Sequence, residues 1–290
     1  MGRVQKLALT KWFMNLVSEK MTAVESDAAQ KRLHSIRGDP FLLADWERVV
    51  FLHFAIAPEL LRSFVPPPLE LDLYEGQGLV SVVAVTMRRF RPVRSLPFAW
   101  AFSLITSQQF LNVRTYVHHR DEPGALFLWG WLSRPLSLPW PTFDLPCAFA
   151  EVDYQHGYES GTLRGEVKAE GSAFSYLAEV DRQITFGPSD PGSLAEFAME
   201  RYSGFFNRGS GARIFRAWHP AWLQTAINAK LTDDRLLTAK FNWFKQAKLV
   251  GANFAPGFKQ VSLGRVHSLK NVIDRTHRRR HGASAFYEMP

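Results

Sequence analysis

The chain has 290 residues, 46% of them hydrophobic, with 23 Phe and 9 Trp, a composition that excludes a disordered protein and suffices for one large core. Its single cysteine, Cys147, excludes an intramolecular disulfide and a cysteine-based zinc site, and fits a reducing, cytoplasmic setting. The formal net charge of +8 is concentrated at the ends, with Arg3, Lys6, Lys11 and Lys20 at one and Arg275, Arg278, Arg279 and Arg280 at the other.

In chain order, Leu7 to Val17 is partly apolar but interrupted by Lys11 and followed by no small-residue cleavage site, so no secretory signal is expected. The segment reads as an amphipathic surface helix or as sequence upstream of a start at Met21. Ser26 to Ile36 is expected to be a polar helix stopped by Gly38-Asp39-Pro40, and Pro58 to Phe64 a short helix with proline in its first turn. Strands are expected over Gly78 to Met87, Asn112 to His118, Ala125 to Leu132, Thr162 to Ala169 and Thr238 to Phe244. The uncharged run Ser95 to Val113 is too polar at its end for a membrane span, and no transmembrane segment is expected. Ser193-Leu194-Ala195-Glu196 is a capping box opening a helix to about Tyr202, and His219-Pro220 starts another, to about Ala229. Residues 1–40 are read as a basic, flexible extension, 41–271 as a single β-barrel domain and 272–290 as a basic tail; the two ends are expected to be dispensable.

Particular words carry a resemblance. Pro58-Glu59-Leu60-Leu61-Arg62-Ser63-Phe64-Val65-Pro66-Pro67-Pro68-Leu69-Glu70 resembles the opening of acetoacetate decarboxylase. His53-Phe54, Asn112 to Val117, Leu145-Pro146-Cys147, Glu200-Arg201-Tyr202 and His219 with Trp222 occur in the order and spacing of the YqjF-like DUF2071 family, related in fold to that decarboxylase. The resemblance implies an α+β, mainly β fold: an acetoacetate decarboxylase-like closed barrel or cone with a few short helices. It implies no reaction. The decarboxylase uses paired lysines after a proline; aligning that proline with Pro146 places Cys147 and Ala148 there. A decarboxylase glutamate falls near Phe110, and an arginine near Glu47, beside Arg48. Imine formation needs a neutral nucleophilic amine, which these residues do not supply.

The candidate ligand-binding residues are Arg114, Asn112, Tyr116 and Cys147. Asn112, Arg114 and Tyr116 share one face of an alternating strand, inward if Phe110 is inward. An inward arginine anchors an anionic ligand or makes an ion pair with an internal carboxylate, Glu151 or Glu200. Cys147 has no local base and reads as a small core residue. Glu200, Arg201 and Tyr202 are expected to dock a helix, and His219 to cap a helix or bond a backbone group beside Trp222. No metal and no cofactor are expected. The first functional reading is a barrel binding a small organic acid or carbonyl compound. The alternative is a non-catalytic structural or interaction protein whose basic ends meet a membrane surface or partner; no specific nucleic-acid contact is expected, and the oligomeric state is open.

Overall fold

The computed structural model describes residues 25–93, 107–133, 145–181, 183–209 and 211–269. The expected segment Leu7 to Val17, the first part of Ser95 to Val113 and the basic tail lie outside them. Among the described residues no helix is long and apolar enough to cross a membrane.

The main sheet is built on four long strands: β1 (Leu42–Ile56), β3 (Gly78–Pro92), β4 (Ser107–His119) and β14 (Lys248–Leu263). They pair antiparallel in the order β14-β1-β3-β4 and continue into β5 (Glu122–Leu132). β10 (Ser203–Arg208) joins β5 in parallel, and its hairpin partner β11 (Gly211–Trp218) returns to β14. That last contact spans only Ala217↔Leu263 and Trp218↔Ser262, so the seven strands close as a cone. The short strands β2 (Glu70–Leu71), β6 (Cys147–Phe149), β12 (Thr225–Ala226) and β15 (His267–Ser268) add to its margins. A second sheet, β13-β9-β8-β7, combines β7 (Glu151–Gln155), β8 (Thr162–Ala169), β9 (Ser172–Glu179) and β13 (Asn228–Asp233).

The long strands are apolar on both faces because each face meets a different core. Val50, Leu52, Phe54, Val80, Val82, Ala84, Leu111 and Val113 face outward onto Leu163, Val167, Phe174 and Tyr176 of the second sheet. The alternate residues Val49, Phe51, Val83, Val85 and Phe110 face into the cone with Trp222. A two-residue period in the sequence thus lets these strands serve two cores at once. Gly257 (φ +96°) lies where β14 passes Trp46; a Cβ there would sit 2.0 Å from the Trp46 carbonyl oxygen.

Helices are few among the described residues: α1 (residues 25–34), α2 (Pro58–Arg62), α3 (Leu194–Met199) and α4 (Arg235–Lys240). α1 lies ahead of the boundary at Phe41, yet it is packed. Leu33 is fully buried, Ser26 Oγ donates to the His219 carbonyl (2.9 Å), and Trp218 Nε1 donates to the Ser26 carbonyl (3.1 Å). Its Arg32 also approaches Glu122, which accepts two bonds from Arg216 (2.8 and 2.7 Å) across the short β5–β10–β11 seam.

Three expectations are corrected. Thr238 to Phe244 is not a strand: α4 and a 3-10 turn (Asn242–Gln246) occupy it. The buried residues Leu237, Phe241 and Phe244 fall at i, i+4 and i+7, a helical period that a window beginning at Thr238 cuts off. His219 to Ala229 is not a helix. Trp222 gives its backbone N–H to Glu200, Gln224 forms a two-way bridge with Gly187, and Thr225 pairs with Phe254 of β14, so tertiary partners hold this segment extended. α3 ends at Met199 rather than Tyr202, with Glu200 as its C-cap; its N-cap is as expected, Ser193 Oγ accepting from the Glu196 N–H (3.2 Å).

Leu33→Ala tests the docking of α1. Loss of a fully buried leucine is expected to lower the unfolding free energy by roughly 2–5 kcal/mol in urea titrations. A loss below about 0.5 kcal/mol would show that the helix does not belong to the core.

Candidate functional site

The strand registers assemble the site row by row. Directly opposed residues of neighbouring strands project to the same face. Phe110 stands opposite Val85; Asn112 opposite Val83, and Val83 opposite Phe51; Arg114 opposite Ser81, and Ser81 opposite His53. These rows line or flank a cavity of about 150 Å³ inside the cone. Its wall is mainly aromatic and aliphatic, including Trp46, Phe51, Phe110, Phe127 and Trp222; among the described residues its polar groups include Asn112, Arg114 and the Trp46 indole, whose Nε1 is buried without a partner. Cys147, held by the parallel pairing of β6 with Gly130, also lines it. Gly130 has no side chain because the Phe110 ring occupies that space; a Cβ there would lie 2.3 Å from the ring.

Among the described residues Arg114 is the charged side chain that lines this cavity. One terminal nitrogen donates to the Ala198 carbonyl (2.9 Å) at the end of α3, while Nε is buried without a partner. The guanidinium lies 5.4 Å from the Phe51 ring centroid and 5.9 Å from that of Tyr116. Among the described residues it makes no ion pair. Glu200 points elsewhere: its carboxylate accepts from the Trp222 backbone (2.8 Å) and the Tyr202 hydroxyl (2.6 Å). Glu151 is exposed on β7 in the second sheet. Neither carboxylate forms the ion pair considered from sequence.

Tyr116 shares the inward face but does not line the cavity. It is fully buried at one end of a hydrogen-bonded chain that sequence reading missed. Its hydroxyl meets Ser81 Oγ (2.5 Å), Ser81 Oγ meets His53 Nδ1 (2.7 Å), His53 Nε2 meets Asn253 Oδ1 (3.1 Å), and Asn253 Nδ2 donates to Gln224 (2.6 Å). The last bond turns the Asn253 oxygen toward His53, so Nε2 carries the imidazole proton and Nδ1 accepts from Ser81. Ser81 then accepts from Tyr116. Burial, and secondarily the charge of Arg114, lower the His53 pKa to about 3, so the ring is neutral. The sequence signal was a lone polar residue at an inward position of each of three apolar strands.

The remaining candidates brace the wall. Arg201 donates to the Phe197 carbonyl (2.6 Å) and to Asp72 (2.8 Å), and stacks 4.2 Å over the Phe197 ring. His219 bonds the Pro220 carbonyl (2.7 Å) and stacks on Phe258; burial lowers its pKa to about 4, with Arg114 adding to the effect. Burial raises the Glu200 pKa to about 7 against its two hydrogen bonds. Burial also raises the Cys147 pKa, so the thiol is protonated and a poor nucleophile at neutral pH. Among the described residues no three His, Cys, Asp or Glu side chains are grouped to hold a metal ion.

These shifts set a pH dependence. In the second sheet, His156 is likewise lowered to about 4, chiefly by burial. The stabilising contribution of His53, His156 and His219 is complete above their ordinary pKa of 6.5 and is lost as pH falls through 6.5 toward 4 and 3. Glu200 acts oppositely, contributing below 4.5 and losing that contribution as pH rises through 7. With three groups against one, the urea midpoint is expected to fall between pH 6.5 and 4.5; a flat or rising midpoint would contradict the neutral-histidine assignment.

Comparison with known proteins agrees with this architecture. The DUF2071 family model, described as an uncharacterized conserved protein, matches residues 43–257. The uncharacterized protein YqjF of Bacillus subtilis (strain 168) is 35% identical over 100 residues, covering 34% of this chain and 39% of that relative's length. Among solved structures, the enduracididine biosynthesis enzyme MppR complexed with pyruvate superposes with a TM-score of 0.54 at 13% identity, covering 79% of this chain and 90% of the other. An acetoacetate decarboxylase-like enzyme from Sphingomonas wittichii RW1 gives 0.52 at 16% identity over 80% and 95%. Acetoacetate decarboxylase from Legionella pneumophila gives 0.53 at 13% over 79% and 87%. With the family match spanning most of a cone whose fold these structures share, the chain belongs to the DUF2071 family, built on an acetoacetate decarboxylase-like fold.

Proposed function

We propose that the cone is a binding site for a small organic acid, including acids that carry a carbonyl group, and that it works without Schiff-base chemistry. The observation that carries this reading is Arg114: a permanently charged fork facing a largely apolar cavity, with its Nε unbonded and, among the described residues, no carboxylate paired with it. A guanidinium in such surroundings favours a carboxylate, which accepts two parallel charge-assisted bonds. The MppR complex with pyruvate adds that a neighbour in fold accommodates a small carboxylic acid. Against imine chemistry stands the wall itself. Cys147, which with Ala148 stands where the resemblance puts the paired lysines, lines it, as does Phe110, near which the decarboxylase glutamate would fall, and no lysine lines it among the described residues. The internal stretches 94–106 and 134–144 contain no lysine in sequence.

A thermal-shift screen against small carboxylates tests the anchor. An acid at a hundred times its dissociation constant adds about 2.7 kcal/mol to the unfolding free energy. Arg114→Met is expected to remain folded, within about 2 kcal/mol of the parent, because Ala198 is its one hydrogen-bond partner among the described residues, and to lose the response to acids. An unaltered response in the variant, or a loss of several kcal/mol without ligand, would contradict the assignment.

For the chemistry, borohydride reduction in the presence of acetoacetate followed by intact-mass measurement is expected to show no adduct. A stoichiometric, acetoacetate-dependent adduct on any lysine would overturn that part of the proposal.

A further inference from the structure

We propose that the acid taken by this cavity is a 2-hydroxy acid with a compact apolar body, the carboxylate on Arg114 and the hydroxyl donating to Asn112. The inference rests on the anion-site reading above and adds the part of the ligand that Arg114 does not address. Asn112 is 4% exposed and lines the cavity. Its Nδ2 donates to the Val83 carbonyl (3.3 Å), which identifies the other amide atom as the oxygen; Oδ1 is buried with no partner. A buried amide oxygen is costly to leave unbonded, and an oxygen of this kind accepts hydrogen bonds and never donates them. The side chain therefore selects for a donor, and a second carboxylate oxygen is excluded from its place.

The donor's position follows from the strand. Asn112 and Arg114 are two residues apart on one face of β4, so their side chains emerge about 7 Å apart. A two-carbon head, with a carboxylate at one end and a hydroxyl on the adjoining carbon, presents an acceptor to Arg114 and a donor to Asn112 side by side. Of the remaining described wall, Val83, Val85, Phe110 and Leu132 are purely hydrocarbon, and the Trp222 indole N–H can donate but not accept. The volume of about 150 Å³ is that of a cavity known to hold a benzene-sized group, which points to an aryl or branched aliphatic body.

The test is calorimetric titration of the full chain with two matched pairs of acids differing by one hydroxyl: mandelate against phenylacetate, and 2-hydroxyisovalerate against isovalerate, each hydroxy acid as separate enantiomers. One enantiomer in at least one pair is expected to bind about tenfold or more tightly than its deoxy partner. Asn112→Leu is expected to abolish that preference while retaining the deoxy acid. Equal affinity within both pairs for the parent protein overturns the inference whether or not the variant folds; if Arg114→Met then abolishes binding of the deoxy acids, the anion-site reading survives that failure. A hydroxyl preference that persists in Asn112→Leu overturns the assignment of the donor to Asn112. Absence of binding by all four acids overturns both the inference and the reading beneath it.

Discussion

The constraint on which the site depends is a permanent positive charge held in an apolar cone with no compensating carboxylate among the described residues. Burying a charge without a partner is costly, and an arginine cannot escape by losing its proton. The surroundings adapt instead. The Ala198 carbonyl and two aromatic faces supply partial compensation. Buried His53 and His219 are held neutral, the first inside a chain in which every hydrogen-bonding role is assigned. That chain crosses β4, β3, β1 and β14 and joins the strands that carry the cavity wall, so ordering the wall and keeping the guanidinium unneutralised are parts of one arrangement.

Much of the architecture was legible because these strands obey a strict two-residue period. The inward parity of residues 110, 112 and 114 follows from alternation alone, and the registers place all three on the cavity side. The helical stretch at 235–246 was illegible for a local reason, a window that excluded Leu237. The extended segment after His219 was illegible for a tertiary one. Pro220 suits a helix start, but the Trp222 N–H is claimed by Glu200, far from any local rule. The relay from Tyr116 to Gln224 was hidden for the same reason. His53, Ser81 and Asn253 are each a single polar residue in an apolar strand, and only the β14-β1-β3 pairing shows that they meet.

The fold and the chemistry of its relatives come apart at two positions. Cys147 and Phe110 lie in the wall of the cavity, a protonated thiol and an aromatic ring where the resemblance to the decarboxylase leads one to expect an amine and an acid. The Phe110 ring fits only because residue 130 is glycine. Function belongs to the site and not to the fold; here the site presents a guanidinium beside an unbonded amide oxygen.

The most direct measurement of the central claim is the ¹⁵N–¹H resonance of Arg114 Nε, assigned by comparison with Arg114→Met and followed during titration with a binding acid. The account predicts a sheltered Nε–H in the free protein whose proton moves downfield and exchanges more slowly with solvent as the site saturates. A resonance indifferent to every acid that stabilises the protein would contradict the claim that Arg114 is the anchor.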